Sequence, residues 1–140
     1  APAAGVKCCM DIKLKTNCED PKLEFINIEK YGDRSGFGAL VHVISNGFAA
    51  KVFVTFGESP MEQFIERLKS CDQSLSGSAA LEPEWDNWFI KFHVVENGSV
   101  VVSGMLYTPE QELKYEFTTD QTCLGEFIKD LESWQTCVIT

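Results

Sequence analysis

An Asn-Gly dipeptide between two β-rich runs occurs twice in this chain, and a helical pattern follows each occurrence. The first is Asn46-Gly47, within HVISNG, and the second is Asn97-Gly98, within HVVENG. A two-residue type I′ turn needs positive φ at both central positions, which Asn and Gly tolerate, so each dipeptide predicts a tight β-hairpin. The chain is therefore predicted to be an internal hairpin–helix repeat with halves at roughly 23–71 and 75–134.

The helix in each predicted half is marked by an amphipathic pattern. Apolar residues recur there at helical spacing: Met61, Phe64, Ile65 and Leu68 in the first half, and Leu124, Phe127, Ile128 and Leu131 in the second. These patterns predict helices over about 59–71 and 122–134, each with one apolar stripe that faces a sheet. Ser59 is predicted to cap the first helix, and Asp120 or Thr122 the second.

The second half holds about a dozen more residues between its hairpin and its helix than the first. This stretch contains Leu113, Tyr115 and Phe117 in alternation, which predicts one extra strand. The whole pattern predicts an α+β fold: an antiparallel sheet of about seven strands with both helices on one face.

The sheet face opposite the helices is predicted to be partly apolar. Alternation places five apolar side chains there: Leu40, Ile44, Phe53, Phe89 and Val95. An apolar surface of this kind would mark a partner site, a self-association site that makes a homodimer, or a sheet curled on itself.

The chain is predicted to fold as a single domain over residues 10–140, because this length buries one core and no linker divides the halves. Residues 1–9 lack the basic and apolar segments of a signal peptide, and Met10 resembles a natural start. We expect residues 1–9 to be a tail or a cloning remnant. The sequence contains no run of eighteen apolar residues, so no membrane span is predicted.

Cysteine usage indicates a reducing, cytoplasmic setting. The six cysteines are irregularly spaced and form no C-x-x-C pair: Cys8, Cys9, Cys18, Cys71, Cys123 and Cys137. A chain of this length can build a core without disulfides, and scattered cysteines are a poor zinc site. We therefore expect no structural disulfide, metal or cofactor, and we expect Cys71 and Cys123 to be buried thiols near helix ends.

The negative charge is concentrated in the C-terminal two-thirds of the chain. The net charge is −9, of which residues 1–51 contribute +1 and residues 52–140 contribute −10. Such a balance disfavours nucleic acid and anionic lipid as partners, because both would be repelled. It suits a basic protein partner, although an acidic surface also serves solubility alone.

Two histidines, His42 and His93, are candidate catalytic residues at matching positions of the two halves. A histidine base works with a nucleophile or an orienting carboxylate, and no Ser or Cys motif accompanies either histidine. Phosphate-loop, H-E-x-x-H and calcium-loop patterns are also absent. We predict no catalytic residue and no enzymatic activity. The alternative is a small enzyme or ligand-binding domain whose pocket opens near both histidines, on the face away from the helices.

The stretch LEPEWDNW, residues 81–88, is the most individual segment of the chain. Its tryptophans and acids can form a binding patch, with aromatic anchors and carboxylates that meet a basic surface. Alternatively, Trp88 packs in the core and Trp85 covers its end. The candidate partner-contact residues are Glu82, Glu84, Trp85 and Asp86, with Glu110 and Glu112 in the turn before the extra strand.

A family resemblance lies in several short motifs between Leu23 and Trp134. They are Gly47-Phe48, Phe64-Ile65-x-x-Leu68, LSGSAALE at 75–82, Asn97-Gly98-Ser99-Val100, Leu113-x-Tyr115-x-Phe117 and Asp120-Gln121-Thr122-x-Leu124-x-x-Phe127-Ile128. In these motifs, mostly core and turn positions, the chain resembles the WapI-type immunity proteins of bacteria. The resemblance implies a small cytoplasmic protein that neutralises the toxic C-terminal domain of a contact-delivered toxin, often a nuclease. It implies no catalytic motif.

Overall fold

A computed structural model of the 140-residue chain describes residues 9–31, 36–83, 86–95 and 97–136. Within these ranges, four strands precede a helix, and four further strands precede a second one. The elements are β1 (Cys9–Leu14), β2 (Lys22–Lys30), β3 (Phe37–Ser45), β4 (Phe48–Phe56), α1 (Glu58–Ser74), β5 (Gly77–Leu81), β6 (Phe89–Val94), β7 (Ser99–Thr108), β8 (Gln111–Asp120) and α2 (Leu124–Gln135). A 3₁₀ turn, Gln121–Cys123, leads into α2.

The strands form two antiparallel sheets, each in sequence order. Sheet 1 is β1-β2-β3-β4 and sheet 2 is β5-β6-β7-β8. The α+β class and the antiparallel pairing are confirmed, but the prediction of one sheet with about seven strands is wrong. Alternation of apolar residues indicates which face of a strand is buried, and it does not indicate where one sheet ends and another begins.

The predicted repeat is not confirmed in the form that the Asn-Gly turns suggested. Asn46-Gly47 joins β3 to β4 with φ of 53° and 87°, as a type I′ turn requires. Asn97-Gly98 lies between β6 and β7, but the Gly98 backbone N–H bonds to the Val95 carbonyl at 3.1 Å, so Asn97 and Gly98 are not the two central residues of a turn and the prediction of a type I′ turn there is wrong. The first turn thus joins the third and fourth strands of its sheet, whereas the second joins the second and third strands. The extra strand of the second half is β8.

Both helices form where the apolar stripes predict them, and their beginnings differ from the prediction. The N-cap of α1 is Gly57, whose side chain offers no cap bond, so the prediction of a Ser59 cap is wrong. Asp120 accepts a hydrogen bond from the Thr122 backbone N–H at 2.9 Å and caps the 3₁₀ turn before α2. Among the described residues, no helix is both long and apolar enough to cross a bilayer.

Both sheets and both helices contribute to one hydrophobic core. Phe127 of α2 stacks on Phe25 of sheet 1, with ring centroids 6.2 Å apart, and on Phe92 of sheet 2, at 5.4 Å. Phe92 in turn contacts Phe64 of α1 at 5.8 Å. A helix also packs along the sheet that it does not follow in sequence: α1 lies along β5, and α2 lies along β1. Each helix is therefore packed partly by the sheet of the other half of the chain.

Several predicted burials are confirmed at the margins of this core. Trp88 is buried against Phe56, with ring centroids 5.6 Å apart, which confirms the core interpretation of this tryptophan. Cys71 and Cys123 are buried thiols. Leu40 and Phe53 lie on the outer face of sheet 1, as predicted, and Phe53 is 62% exposed.

Candidate partner-binding site

Four of the six predicted contact residues gather at one end of sheet 2. The antiparallel order brings the C-terminal ends of β5 and β7 beside the N-terminal ends of β6 and β8. Glu82 follows β5, Asp86 precedes β6, and Glu110 and Glu112 lie in the β7–β8 turn and at the start of β8. All four are exposed, and we call this group the acidic end of sheet 2.

The remaining two predicted contact residues, Glu84 and Trp85, lie outside the described residues. They belong to the connection between Pro83 and Asp86, both of which are described. Their role as contacts therefore stays a prediction. Asp86, which follows them in the chain, is exposed at the acidic end of sheet 2.

A half-buried tyrosine lies among these carboxylates. The Tyr107 hydroxyl donates a hydrogen bond to Oδ1 of Asp86, and the same oxygen accepts from the Asn87 backbone N–H at 2.9 Å. Tyr107 also pairs directly with Glu112 across β7 and β8. One aromatic side chain therefore joins the acidic residues before β6 to those of the β7–β8 turn.

A shallow open groove runs beside Tyr107. Its lining consists of Asn87, Met105, Tyr107, Thr108, Pro109, Glu110, Gln111 and Glu112. Met105 pairs with Phe89 on the same outer face, and both side chains are half-buried. The groove thus combines a small apolar floor with carboxylates at its rim, which is the composition of a protein contact surface.

Sequence reasoning missed Tyr107, Met105 and Phe89 as members of this site. Each occupies an outward position of a strand whose inward positions form the core. A large apolar residue at an outward position of a strand is a sign of a contact surface that the sequence offers. Phe89 was predicted to face outward on that basis. The convergence of the groove residues depends on strand pairing, which the sequence pattern did not specify.

The acidic end of sheet 2 differs from helix α2 in the pairing of its carboxylates. Within the described ranges, none of its four carboxylates forms an ion pair. Carboxylates on α2 differ in this respect: Glu126 lies 2.8 Å from Nζ of Lys15, and Glu132 lies 3.1 Å from Nζ of Lys69. The acidic end of sheet 2 therefore projects negative potential into solvent, where it can attract a basic partner.

The two histidines lie on different sheets and are not cross-strand neighbours. His42 is half-buried on β3, and its Nδ1 lies 2.9 Å from Oε1 of Glu24 on β2. Lys13 of β1 approaches the other oxygen of Glu24 at 3.5 Å. His93 is exposed on β6 of sheet 2. Glu24 is an orienting carboxylate that sequence reasoning missed, because its register with His42 comes from tertiary pairing.

Glu24 is held in its ionised form by these neighbours. Burial of the carboxylate opposes ionisation, but the His42 hydrogen bond and the charges of Lys13 and Lys22 outweigh it and lower the pKa of Glu24. The arrangement accounts for a carboxylate that is only 8% exposed on a strand. Among the residues that the structure describes, no group of three or more His, Cys, Asp or Glu is placed to hold a metal ion.

Comparison with known proteins identifies a family and a fold. The family model described as "Immunity protein WapI-like family" matches residues 22–134. No curated protein matches the chain significantly. A solved structure titled "Crystal structures of trypanosoma bruciei MRP1/MRP2" is similar, with a TM-score of 0.54 and 9% sequence identity, over 92% of this chain and 84% of that one. At this identity the likeness concerns the fold alone.

Proposed function

Because the chain belongs to the immunity protein WapI-like family, whose model matches most of its length, we propose that it binds a cognate protein toxin and neutralises it by occlusion. The partner surface is the acidic end of sheet 2, with Glu84 and Trp85 from the adjoining connection. The target is the C-terminal domain of the toxin, and this complex forms in the cytoplasm. The observation that carries the proposal is the set of exposed carboxylates around Tyr107, none of which forms an ion pair within the described residues.

The charge of the site indicates the kind of toxin domain. Nucleases must approach phosphates, and their substrate-binding surfaces are therefore commonly basic. An acidic inhibitor surface attracts such a domain over several ångströms and raises the rate of encounter. It also covers the surface that the nucleic acid needs. We accordingly propose a basic nuclease domain as the partner, and no nucleic acid as a direct ligand of this chain.

The aromatic residues of the site are proposed to slow dissociation of the complex once it has formed. Rim charges mainly affect association, whereas buried aromatic anchors at the centre of an interface carry most of the affinity. Tyr107 is suited to that position because its ring is already half-buried and its hydroxyl is held by Asp86. Trp85 is proposed as a second anchor.

The first experiment is a pull-down with the tagged chain from its source cell. We expect a basic toxin domain to co-purify and to lose its toxicity when co-expressed with this protein. Recovery of no toxin, or of a toxin that keeps full activity in the complex, would refute the proposed function.

The second experiment reverses charge at the proposed site. Replacing Glu82, Glu84 and Asp86 together by Lys should slow association roughly 10- to 100-fold at low salt. It should also flatten the dependence of the association rate on ionic strength. The stability cost should be limited to the hydrogen bonds that Asp86 accepts from Tyr107 and Asn87, about 1–2 kcal/mol. A control variant, Glu66→Lys with Asp72→Lys, changes charge between the middle and the C-terminal end of α1. The control alters the net charge by +4 and the site variant by +6, so an equal effect per unit of charge would show that only net charge matters.

A further inference from the structure

The outer edge of β4 is exposed in a way that the other sheet edges are not. Helix α2 packs along β1, and α1 packs along β5. At the edge of β8, the Glu116 carbonyl accepts hydrogen bonds from Oγ of Ser45 at 3.0 Å and from Nδ2 of Asn46 at 3.2 Å. Within the described residues, β4 pairs only with β3 and contacts sheet 2 through β7, and its residues Ala49, Lys51, Phe53 and Thr55 are exposed. A long, uncovered edge strand is a template for pairing with another strand.

The β3–β4 turn determines which backbone groups of β4 point outward. In a two-residue type I′ hairpin, the residues that flank the turn, here Ser45 and Phe48, form a hydrogen-bonded pair. Every second residue after Phe48 therefore bonds to β3. The residues between them direct N–H and C=O to the free edge, and all four are exposed: Ala49, Lys51, Phe53 and Thr55.

We propose that β4 pairs antiparallel with β4 of a second copy of this chain, about a twofold axis at Val52. In this register Lys51 lies opposite Phe53 of the second copy, and Ala49 lies opposite its Thr55. All four outward-directed residues then form backbone hydrogen bonds. The result is a continuous eight-stranded sheet across two copies of sheet 1. The strand pairing does not require a toxin, but the choice of a second copy as the occupant rests on the proposed function in one respect, since the rival occupant is a basic toxin domain.

Charge on the outer face of sheet 1 favours a second copy as the occupant. A polar row crosses this face in direct register: Lys13, Glu24, His42 and Lys51. It ends at the β4 edge with a cation, which would repel a basic toxin domain. A second copy instead offers Phe53, whose ring face attracts the Lys51 ammonium. The register that is centred on Lys51 would bring two ammonium groups together, so charge also selects between registers.

The Phe53 ring lies on an apolar part of the outer face of sheet 1. Phe53 pairs with Leu40 on β3, which pairs with Ile26 on β2, so the three form an apolar row on the outer face. Gly38 leaves room for the ring, because a Cβ there would lie 2.8 Å from Cζ of Phe53.

Twofold pairing of β4 produces a closed dimer and not a fibre. The contact uses the same edge in both copies, so none of these outward-directed groups remains for a third copy. Helix packing along β1 limits growth at the other side of sheet 1. The contact is a strand edge with one aromatic row, which is smaller than a standard interface. We therefore expect a dissociation constant on the order of 10–100 µM.

The test is sedimentation equilibrium of the full chain, in reductant, from about 1 µM to 1 mM, the range that brackets this affinity. The mass should rise from 15.7 kDa toward twice that value. Phe53→Ser should weaken the dimer by about tenfold or more, because it removes the central aromatic contact. Phe48→Ser is the matched control: Phe48 is 66% exposed but its backbone bonds to β3, so this change should leave the dimer within about twofold.

Cysteine cross-linking tests the register. The background replaces Cys8, Cys9, Cys18 and Cys137 by Ser and retains the two buried thiols. A mixture of Ala49→Cys and Thr55→Cys chains should form a disulfide-linked heterodimer on oxidation. Each variant alone should not, because its cysteines are then far apart across the axis.

Three results would overturn the proposal. The first is a mass of 15.7 kDa at every concentration. The second is a dimer that Phe53→Ser does not weaken, in a variant whose circular dichroism remains native. The third is a monomer whose toxin binding is lost on Phe53→Ser, which would make the toxin the occupant of this edge. If Phe53→Ser fails to fold, Thr55→Pro replaces it, since it removes an outward N–H without removing a bond to β3.

Discussion

Truncation of Phe127 is the most direct test of the packing of both sheets and both helices around one core. Phe127 is fully buried and stacks on Phe25 of sheet 1 and Phe92 of sheet 2. Phe→Ala in a core costs about 3–5 kcal/mol. Each aromatic pair contributes about 0.5–1.5 kcal/mol beyond burial, which places Phe127→Ala in the upper part of that range. We expect a loss of about 4–5 kcal/mol, a large share of the roughly 5–15 kcal/mol that stabilises a domain.

The assay is urea unfolding monitored by both tryptophan fluorescence and circular dichroism. With a slope of about 2 kcal/mol per molar urea, the midpoint should fall by about 2 M. Phe127→Leu should cost only about 1–2 kcal/mol, because an apolar side chain still fills most of the site. Phe48→Ala, at a 66% exposed position, should change stability by less than about 0.5 kcal/mol.

The reasoning fails if Phe127→Ala costs less than about 1.5 kcal/mol, well below the range for a core aromatic. It also fails if the two probes give separate transitions, because a shared core should unfold cooperatively. Separate transitions would mean that each sheet folds as its own unit. The stacking of Phe127 between the sheets would then contribute little to their association.

Three further predictions concern ionisable and thiol groups. Glu24→Gln should flatten the acid limb of the stability curve: a lowered pKa stabilises the fold above the ordinary value of 4.5, and this contribution is lost as the pH falls below it. Urea midpoints between pH 6 and pH 3 measure this, and parallel curves would contradict it. Replacement of His42 and His93 by Gln should leave the fold and toxin neutralisation intact, since a glutamine amide in place of the His42 ring can still donate to Glu24; loss of an enzymatic turnover in the folded variant would instead support the pocket alternative. Reductant should leave the melting temperature unchanged, because Cys71 and Cys123 are buried thiols, and a loss of several kcal/mol would indicate a native disulfide.

Much of the local structure follows from short-range sequence signals. Asn46-Gly47 can satisfy a type I′ turn within four residues of chain, and the stripe that includes Phe64 and Phe127 buries one face of each helix. Such preferences depend on neighbouring residues and backbone sterics, so a single sequence displays them. The outward position of Phe53 follows from the same alternation.

Sequence patterns predicted only part of the candidate site. Its acids were recognised as an unusual cluster along the chain, and the family resemblance supplied a role that their chemistry did not. The placement of Tyr107 between Asp86 and Glu112 was not accessible, because it depends on which strands pair and in which register. Glu24 beside His42 was missed for the same reason.

The sequence by itself determined the turn at Asn46-Gly47, both helices, the strands other than β1 and the buried face of each of these elements. Tertiary structure decided that the chain forms two sheets, that each helix packs along the other sheet, and that β4 is an edge strand of sheet 1. The physical reason is that neither half can enclose its apolar surface alone. Phe127 is buried only when α2 lies between Phe25 and Phe92, which are 67 residues apart in the chain. Contacts between residues so far apart in the chain depend on how the whole core packs, and a local sequence pattern does not specify them.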